Sequence, residues 1–152
     1  MDREHRRMRD QFLGNFIFLI IQFLLGVAVN LFVTIPRDHP GANPPEYFTG
    51  VAQGVTWAIL HGHVLLILHA TFGLLLVLNS AALLVRAIRM RARDLITVTA
   101  FGAFGVLAAG FNGGSFLNYN EDFSSMLMAS FFAVAVVAYA VGLYVTGRPA
   151  SA

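Results

Sequence analysis

The sequence contains no cysteine and no lysine, and it has few charged residues of any kind. The absence of cysteine excludes disulfides, thiolate zinc sites, iron–sulfur clusters and a cysteine nucleophile. Charged residues make up only 12% of the 152 residues and hydrophobic residues 57%, and the mean hydropathy is +0.70. This composition excludes a soluble domain with a hydrated surface and predicts that the chain lies in a lipid bilayer.

Charge is also absent from four long apolar runs, approximately residues 12–35, 54–85, 95–117 and 123–146. Each run exceeds the about 20 residues that a helix needs to cross the hydrocarbon layer. The first run is too long for the apolar core of a signal peptide, so we expect it to be retained as a span. The sequence therefore predicts an all-α, integral membrane four-helix bundle that forms one domain over residues 1–152, with both termini on one side.

Arginine supplies all ten basic residues and is distributed very unevenly. Only Arg37 lies between the first and second runs, whereas the other nine arginines lie near the termini or between the second and third runs. Because basic residues accumulate on the cytoplasmic side of membrane proteins, both termini are predicted to be cytoplasmic. Arginines at membrane edges give no reason to expect a nucleic-acid partner. The nine residues are Arg3, Arg6, Arg7, Arg9, Arg86, Arg89, Arg91, Arg93 and Arg148.

Small and polar residues indicate which helix faces contact other helices in a membrane. The second run is predicted to be one helix, and its helical phase predicts a polar seam against the first run, with His63 pointing elsewhere. The seam residues of the first run are Gln11, Asn15, Gln22, Gly26 and Asn30. Those of the second run are His61, Gly62, His69, Gly73, Asn79 and Ser80.

The third and fourth runs also carry stripes of small residues, which allow helices to approach closely. Gly113 and Gly114 are further predicted to turn the chain after the third span. The stripe on the third run consists of Gly102, Gly105, Ala109, Gly110 and Gly113. The stripe on the fourth consists of Met128, Ala135, Tyr139 and Gly142.

The segment HGHVLLILHA, residues 61–70, places three histidines in the second run. On one straight helix His61 and His69 are separated by about 12 Å, and His61 and His63 point in nearly opposite directions, so no two of them can ligate one haem iron. A b-type haem would need a histidine–methionine pair, or histidines from two copies of the chain in a homo-oligomer. The candidate haem ligands are His61, His63, His69, Met126 and Met128.

A divalent metal at the outer mouth of the bundle, where the first and third connections would fold over the second run, is a second hypothesis, since imidazole and carboxylate groups are common metal ligands. A third is proton transport, because histidine titrates near neutral pH and intramembrane ionisable groups are often functional. The remaining alternative is structural, with His61 and His69 hydrogen-bonded to amides of the first span. The candidate metal ligands are His39, His61, His63, Glu121 and Asp122.

Two segments, HGHVLLILHATFGLLL and GFNGGSFLNYNEDFSSMLMA, resemble a group of small four-span membrane proteins of actinobacterial type. The resemblance implies a four-span architecture in a bacterial cytoplasmic membrane, and it implies no catalytic residue. The shorter phrase HATFG, which begins at His69, is similar to the H-x-x-x-G pattern of membrane b-type cytochromes. That similarity adds to the haem hypothesis.

The sequence offers no recognisable enzyme motif. It has no P-loop or dinucleotide fingerprint, and its serines are better explained by loops and helix ends than by a hydrolase triad. We therefore expect a non-enzymatic multi-pass protein, such as an accessory subunit of a membrane complex. The alternatives are a b-type haem protein in electron transfer and a protein that binds or transports a metal or protons.

Overall fold

The computed structural model describes residues 3–147, without the side chain of Arg3. Within this range the regular structure is entirely helical, which confirms the predicted all-α class. Four of the helices are long and apolar enough to cross a membrane, in agreement with a multi-pass membrane protein. The helices are α1 (Arg3–Phe32), α2 (Tyr47–His61), α3 (Val64–Met90), α4 (Arg93–Tyr119) and α5 (Asp122–Gly147).

The four long helices form a ring in which α1 packs on α3, α3 on α4, α4 on α5 and α5 on α1. The short helix α2 packs against α3 and α4. We call the end of the bundle with the start of α1, the α3–α4 turn and the end of α5 the terminal end. The opposite end, with the connection 33–46, helix α2 and the α4–α5 turn, is the loop end.

The two short reversals are made by residues in the left-handed conformation. Arg91 (φ 54°) ends α3, and its N–H donates to Ile88 O at 3.0 Å. Asn120 (φ 52°) ends α4, and its N–H donates to Phe116 O at 2.7 Å. The prediction that Gly113 and Gly114 turn the chain is therefore wrong, because both lie inside α4.

Tyr139 of α5 joins all four long helices at the centre of the ring. It is fully buried, and its hydroxyl donates to Ser80 Oγ of α3 at 2.7 Å. Its ring lies against Gly102 of α4, where an added Cβ would come 2.5 Å from Tyr139 Cε1. The ring of Phe12 on α1 lies 6.1 Å from it, centroid to centroid, and also covers Gly142. The predicted inward faces of α4 and α5 are confirmed at these residues.

The polar stripe of α1 is confirmed only in part. Asn15 is buried, and Gly26 packs on α3. At the terminal end, Gln11 accepts a hydrogen bond from Arg86 at 3.0 Å. The same guanidinium forms an ion pair with Glu4 at 3.0 Å, which ties α3 to the start of α1. Asn30, in contrast, is exposed.

We expect Gly102→Ala to destabilise the bundle by about 1–3 kcal/mol, the usual cost of overpacking a close contact. The reason is that the new methyl group would meet the buried ring of Tyr139. Gly110→Ala is the matched control on the same helix, because no atom lies within 4 Å of a Cβ built there. Thermal unfolding in detergent measures both. Equal losses for the two variants would contradict this account of the bundle centre.

Candidate functional site

The predicted second span, residues 54–85, is not one helix but two, and the chain breaks at Gly62 and His63. Gly62 has an extended backbone (φ −70°, ψ 170°), and a Cβ there would overlap the carbonyl oxygen of Ala58. His63 is the N-cap of α3, where its Nδ1 accepts a hydrogen bond from Leu65 N at 3.3 Å. Because a helix start leaves N–H groups unpaired, this histidine has a local structural use.

This break overturns the helical phase on which the predicted seam depended. His61 belongs to the last turn of α2 and is exposed, so its direction says nothing about α3. Asn79, predicted to face the interior, is exposed, whereas Ser80 is buried. Measured from His69 instead, Ser80 lies about 20° away on the helix and Asn79 about 80° away.

His69 packs against α1, as the structural alternative predicted, whereas His61, for which the same was predicted, is exposed at the end of α2. Gln22 Nε2 donates to His69 O at 3.0 Å and lies 3.4 Å from His69 Nε2. Because an amide NH₂ group only donates, this second contact is a hydrogen bond in the tautomer of His69 whose Nε2 carries no proton. Gly26 makes room for the ring, since a Cβ there would lie 3.1 Å from His69 Cε1. Within residues 3–147, His69 Nδ1 and Gln22 Oε1 are buried without a hydrogen-bond partner.

His39 fastens the long connection 33–46 to the end of α4. It is only 6% exposed, and its Nδ1 and Nε2 lie 2.8 Å from Pro40 O and 3.1 Å from Leu117 O. Carbonyl oxygens only accept hydrogen bonds, so a neutral ring can donate to one of them and an imidazolium to both. Trp57 of α2 stacks on the ring at 4.3 Å and 14°. His39 therefore joins the connection, α2 and α4.

Asn118, the last buried polar residue of α4, makes a second attachment at the same place. Its backbone carbonyl accepts from Asn43 N at 2.8 Å. In the amide orientation that satisfies both of its polar atoms, the side-chain nitrogen donates to Gly41 O at 3.1 Å and to Gly50 O at 3.0 Å. The side-chain oxygen accepts from Val51 N at 3.2 Å. One side chain thus serves both the connection and the first turns of α2.

Small residues permit these close contacts. Gly41 has φ +91°, a conformation that favours glycine, and a Cβ there would lie 2.5 Å from Gly50 O and Gly54 N. Gly50 and Gly54 form a G-x-x-x-G pattern on α2 that faces Asn118. Gly114 of α4 lies under Val51, where a Cβ would come 2.7 Å from its Cγ1. Gly114, which was predicted together with Gly113 to turn the chain, therefore serves helix packing.

The start of α2 is capped by Glu46. Its carboxylate accepts from Thr49 N at 2.6 Å and Phe48 N at 2.9 Å. Hydrogen bonds from the Thr49 side chain and backbone, and then from the Phe48 backbone, lower the pKa of Glu46. Because this pKa is lowered, the stabilisation by the cap is fully present at pH values above the usual pKa range of glutamate. It is lost as the pH falls through the pKa of the folded state. Tyr47 adds a hydrogen bond of 2.6 Å to Ser115 of α4.

The outer surface of α2 remains available. A shallow groove of about 340 Å³ runs between this helix and Pro40, and its walls are mostly apolar. Gln53, Thr56 and Leu60 are exposed along it, and Leu60 is 64% exposed. The residues that line this groove include His61 and no Asp, Glu or Arg.

The candidate metal ligands do not form a cluster. In the part of the chain that the structure describes, no three histidine, aspartate or glutamate side chains are close enough to hold a metal ion. His39 has both ring nitrogens directed at carbonyls, and His63 caps α3. His61, Glu121 and Asp122 are exposed.

The candidate haem ligands do not fit a haem held within one chain. His69 faces α1, and its Nε2 lies 3.4 Å from Gln22 Nε2. Met128 faces Gly113 of α4, with its sulfur 3.2 Å from a Cβ built there, and Met126 is 55% exposed. His61 and His63 are exposed at the loop end, and His63 Nδ1 is used as a cap.

Sequence reasoning placed Asn118 at the same outer mouth as His61 but did not identify it as an attachment point, and it assigned His39 only to a metal. The available signal was the pattern of Gly50 and Gly54, which predicts close packing of α2. The partner of that pattern depends on how the connection folds back, which no local pattern specifies.

We expect Asn118→Leu to loosen the connection, because it removes the side-chain hydrogen bonds to the backbone of Gly41, Gly50 and Val51. The free energy of local opening of residues 41–51 should fall by about 1–3 kcal/mol, as measured by amide hydrogen exchange. Asn112→Leu is the control, because the described hydrogen bond of Asn112 goes to Ala108 O in its own helix. Unchanged exchange in Asn118→Leu would refute the attachment.

No protein-family model matches this chain, and no curated protein and no solved structure matches it. Its function is therefore indicated by the chemistry and geometry of its own residues.

Proposed function

We propose that this protein is a non-enzymatic, multi-pass accessory subunit of a membrane complex, and that α2 with the connection 33–46 forms its docking platform. The observation that carries the proposal is the way this platform is attached. His39 and Asn118 use buried polar groups to bind the connection and α2 to the end of α4. A preorganised binding surface loses less conformational entropy when a partner binds than a mobile surface does.

The chemistry of the platform favours binding over catalysis. A catalytic site needs a nucleophile or an acid and base that can reach a substrate. Here the polar side chains at the base of α2 contact backbone carbonyls and N–H groups. The groove is lined by Pro40, Ala52, Gln53, Thr56, Trp57, Leu60 and His61, and its one imidazole has no Asp or Glu beside it among these residues. Such a surface, apolar with a few amides and hydroxyls, suits the side chains of another membrane protein.

We further propose that the terminal end faces the cytoplasm and the loop end faces outward across a bacterial cytoplasmic membrane. The support is the distribution of arginine. Arg37 is the one arginine in the connection 33–46, whereas the α3–α4 region and the start of α1 hold all the others within residues 3–147. Arg148, counted with them in the sequence, lies outside the described residues.

The absence of cysteine from the sequence makes this orientation straightforward to test. Glu121→Cys places one exposed thiol in the α4–α5 turn, and Asp94→Cys places one in the first turn of α4. A membrane-impermeant maleimide should label the Glu121→Cys variant in intact cells and the Asp94→Cys variant only after the membrane is opened. The reverse labelling pattern would overturn the orientation.

The docking function is tested by a photo-crosslinking amino acid placed in the living cell at Thr56, on the groove. We expect a protein adduct of one defined mass, identified by mass spectrometry. The control position is Phe101, which is 60% exposed on α4 and should yield lipid adducts only. Only lipid adducts at both positions would refute a docking platform on α2.

The same protein, purified after expression with haem supplied, separates this proposal from electron transfer. We expect no Soret band in the oxidised or the reduced state. A Soret band that is lost in His69→Ala but retained in His5→Ala would overturn the accessory function in favour of a haem protein.

A further inference from the structure

Asn79 is a polar residue in an unusual place. It lies about 22 Å along α3 from Val64 and about 17 Å from Met90, near the middle of a candidate span. Its side chain is exposed on the surface of the bundle, and no hydrogen bond joins it to any residue within 3–147. At that depth the surroundings are hydrocarbon, where an unpaired amide is unfavourable.

Several other polar residues on the long helices bond to carbonyls of their own helix. Asn112 Nδ2 donates to Ala108 O at 2.8 Å, and Ser130 Oγ donates to Met126 O at 2.9 Å. Thr97 Oγ1 likewise donates to Arg93 O at 3.1 Å. These side chains need no second molecule. Asn79 makes no corresponding bond to the carbonyl of Leu75, so its own helix leaves this amide without a partner.

The neighbours of Asn79 form a seam suited to helix association. Leu68, Leu75, Asn79 and Ala82 are all exposed and follow one another at intervals of seven, four and three residues. This is the spacing of the core positions of a coiled coil. Ala82 is small and lies one turn from the amide, which allows two backbones to approach. A single asparagine in such a seam specifies register and oligomeric state.

We propose that α3 forms a symmetric homodimer interface in the membrane, in which Asn79 pairs with Asn79 of a second copy. An amide carries both donors and an acceptor, so it is complementary to another amide. Copies of one chain insert with the same orientation, which places their Asn79 residues at equal depth. A twofold axis then brings each residue opposite its own equivalent.

The interface is tested in proteoliposomes by oxidative crosslinking of single-cysteine variants. Ala82→Cys lies on the seam and should give a disulfide-linked dimer at high dilution in lipid. Val137→Cys is the control, because Val137 is 62% exposed on α5. Dimer formation at Val137 equal to that at Ala82 would show random collision and overturn the proposal.

The contribution of the amide is measured by energy transfer between labelled copies at several protein-to-lipid ratios. Asn79→Leu should weaken dimerisation roughly 3-fold to 30-fold, which is the effect expected for one interhelical hydrogen bond in a membrane. Asn30→Leu, which removes another exposed amide at the loop end, should leave it unchanged. Thermal unfolding at high dilution verifies that the Asn79→Leu monomer is folded.

Three results would overturn the homodimer: the native chain stays monomeric at every density, Asn79→Leu dimerises as strongly as the native chain, or a photo-crosslinker at Leu75 captures only a different protein. Crosslinking between identical chains at Leu75, combined with weakened association of Asn79→Leu, would establish it.

Discussion

The hydrogen bond between Tyr139 and Ser80 crosses the centre of the ring and joins two helices whose backbones do not otherwise meet. Because its ring also lies on Gly102 and beside Phe12, Tyr139 sets the distance between α5 and each of the other long helices. In lipid, apolar side chains gain little by leaving one apolar surface for another, so close packing and internal hydrogen bonds must hold the helices together. Tyr139 supplies both the close packing and the internal hydrogen bond here.

The loop end depends on that ring, because α4 provides the surface to which everything else attaches. Leu117 and Asn118 present a carbonyl and an amide at the end of α4, and the connection and α2 bind to these groups. The break at Gly62 and His63 then lets the chain turn from α2 into α3. A broken helix exposes N–H groups that lipid cannot satisfy, and the imidazole of His63 satisfies one of them.

The four apolar runs were predictable from the sequence because length and hydropathy are properties of the local chain. The contacts of Gly102 and Tyr139 were also indicated, since helical phase holds within an unbroken helix. The prediction from helical phase failed across the break at Gly62 and His63. The composition of an apolar run does not show whether the run forms one helix or two. The break was therefore not predicted, and Asn79 was assigned to the wrong face. The contact of His39 with Leu117 joins residues 78 positions apart, and no periodicity reports such a distance.

The hydrogen-bond partner of each polar side chain distinguishes the structural residues from the candidate binding residues. Thr99 and Thr146 bond back to their own helices, and these bonds need no tertiary partner. Ser80, His39 and Asn118 are used between helices, so the bundle itself consumes their hydrogen-bonding capacity. Asn79 does neither, although the cost of an unpaired amide in hydrocarbon gives it the strongest reason to do so. In the homodimer that we propose, a second copy of α3 completes this amide within the lipid, whereas the docking platform that we propose on α2 serves a different partner at the loop end.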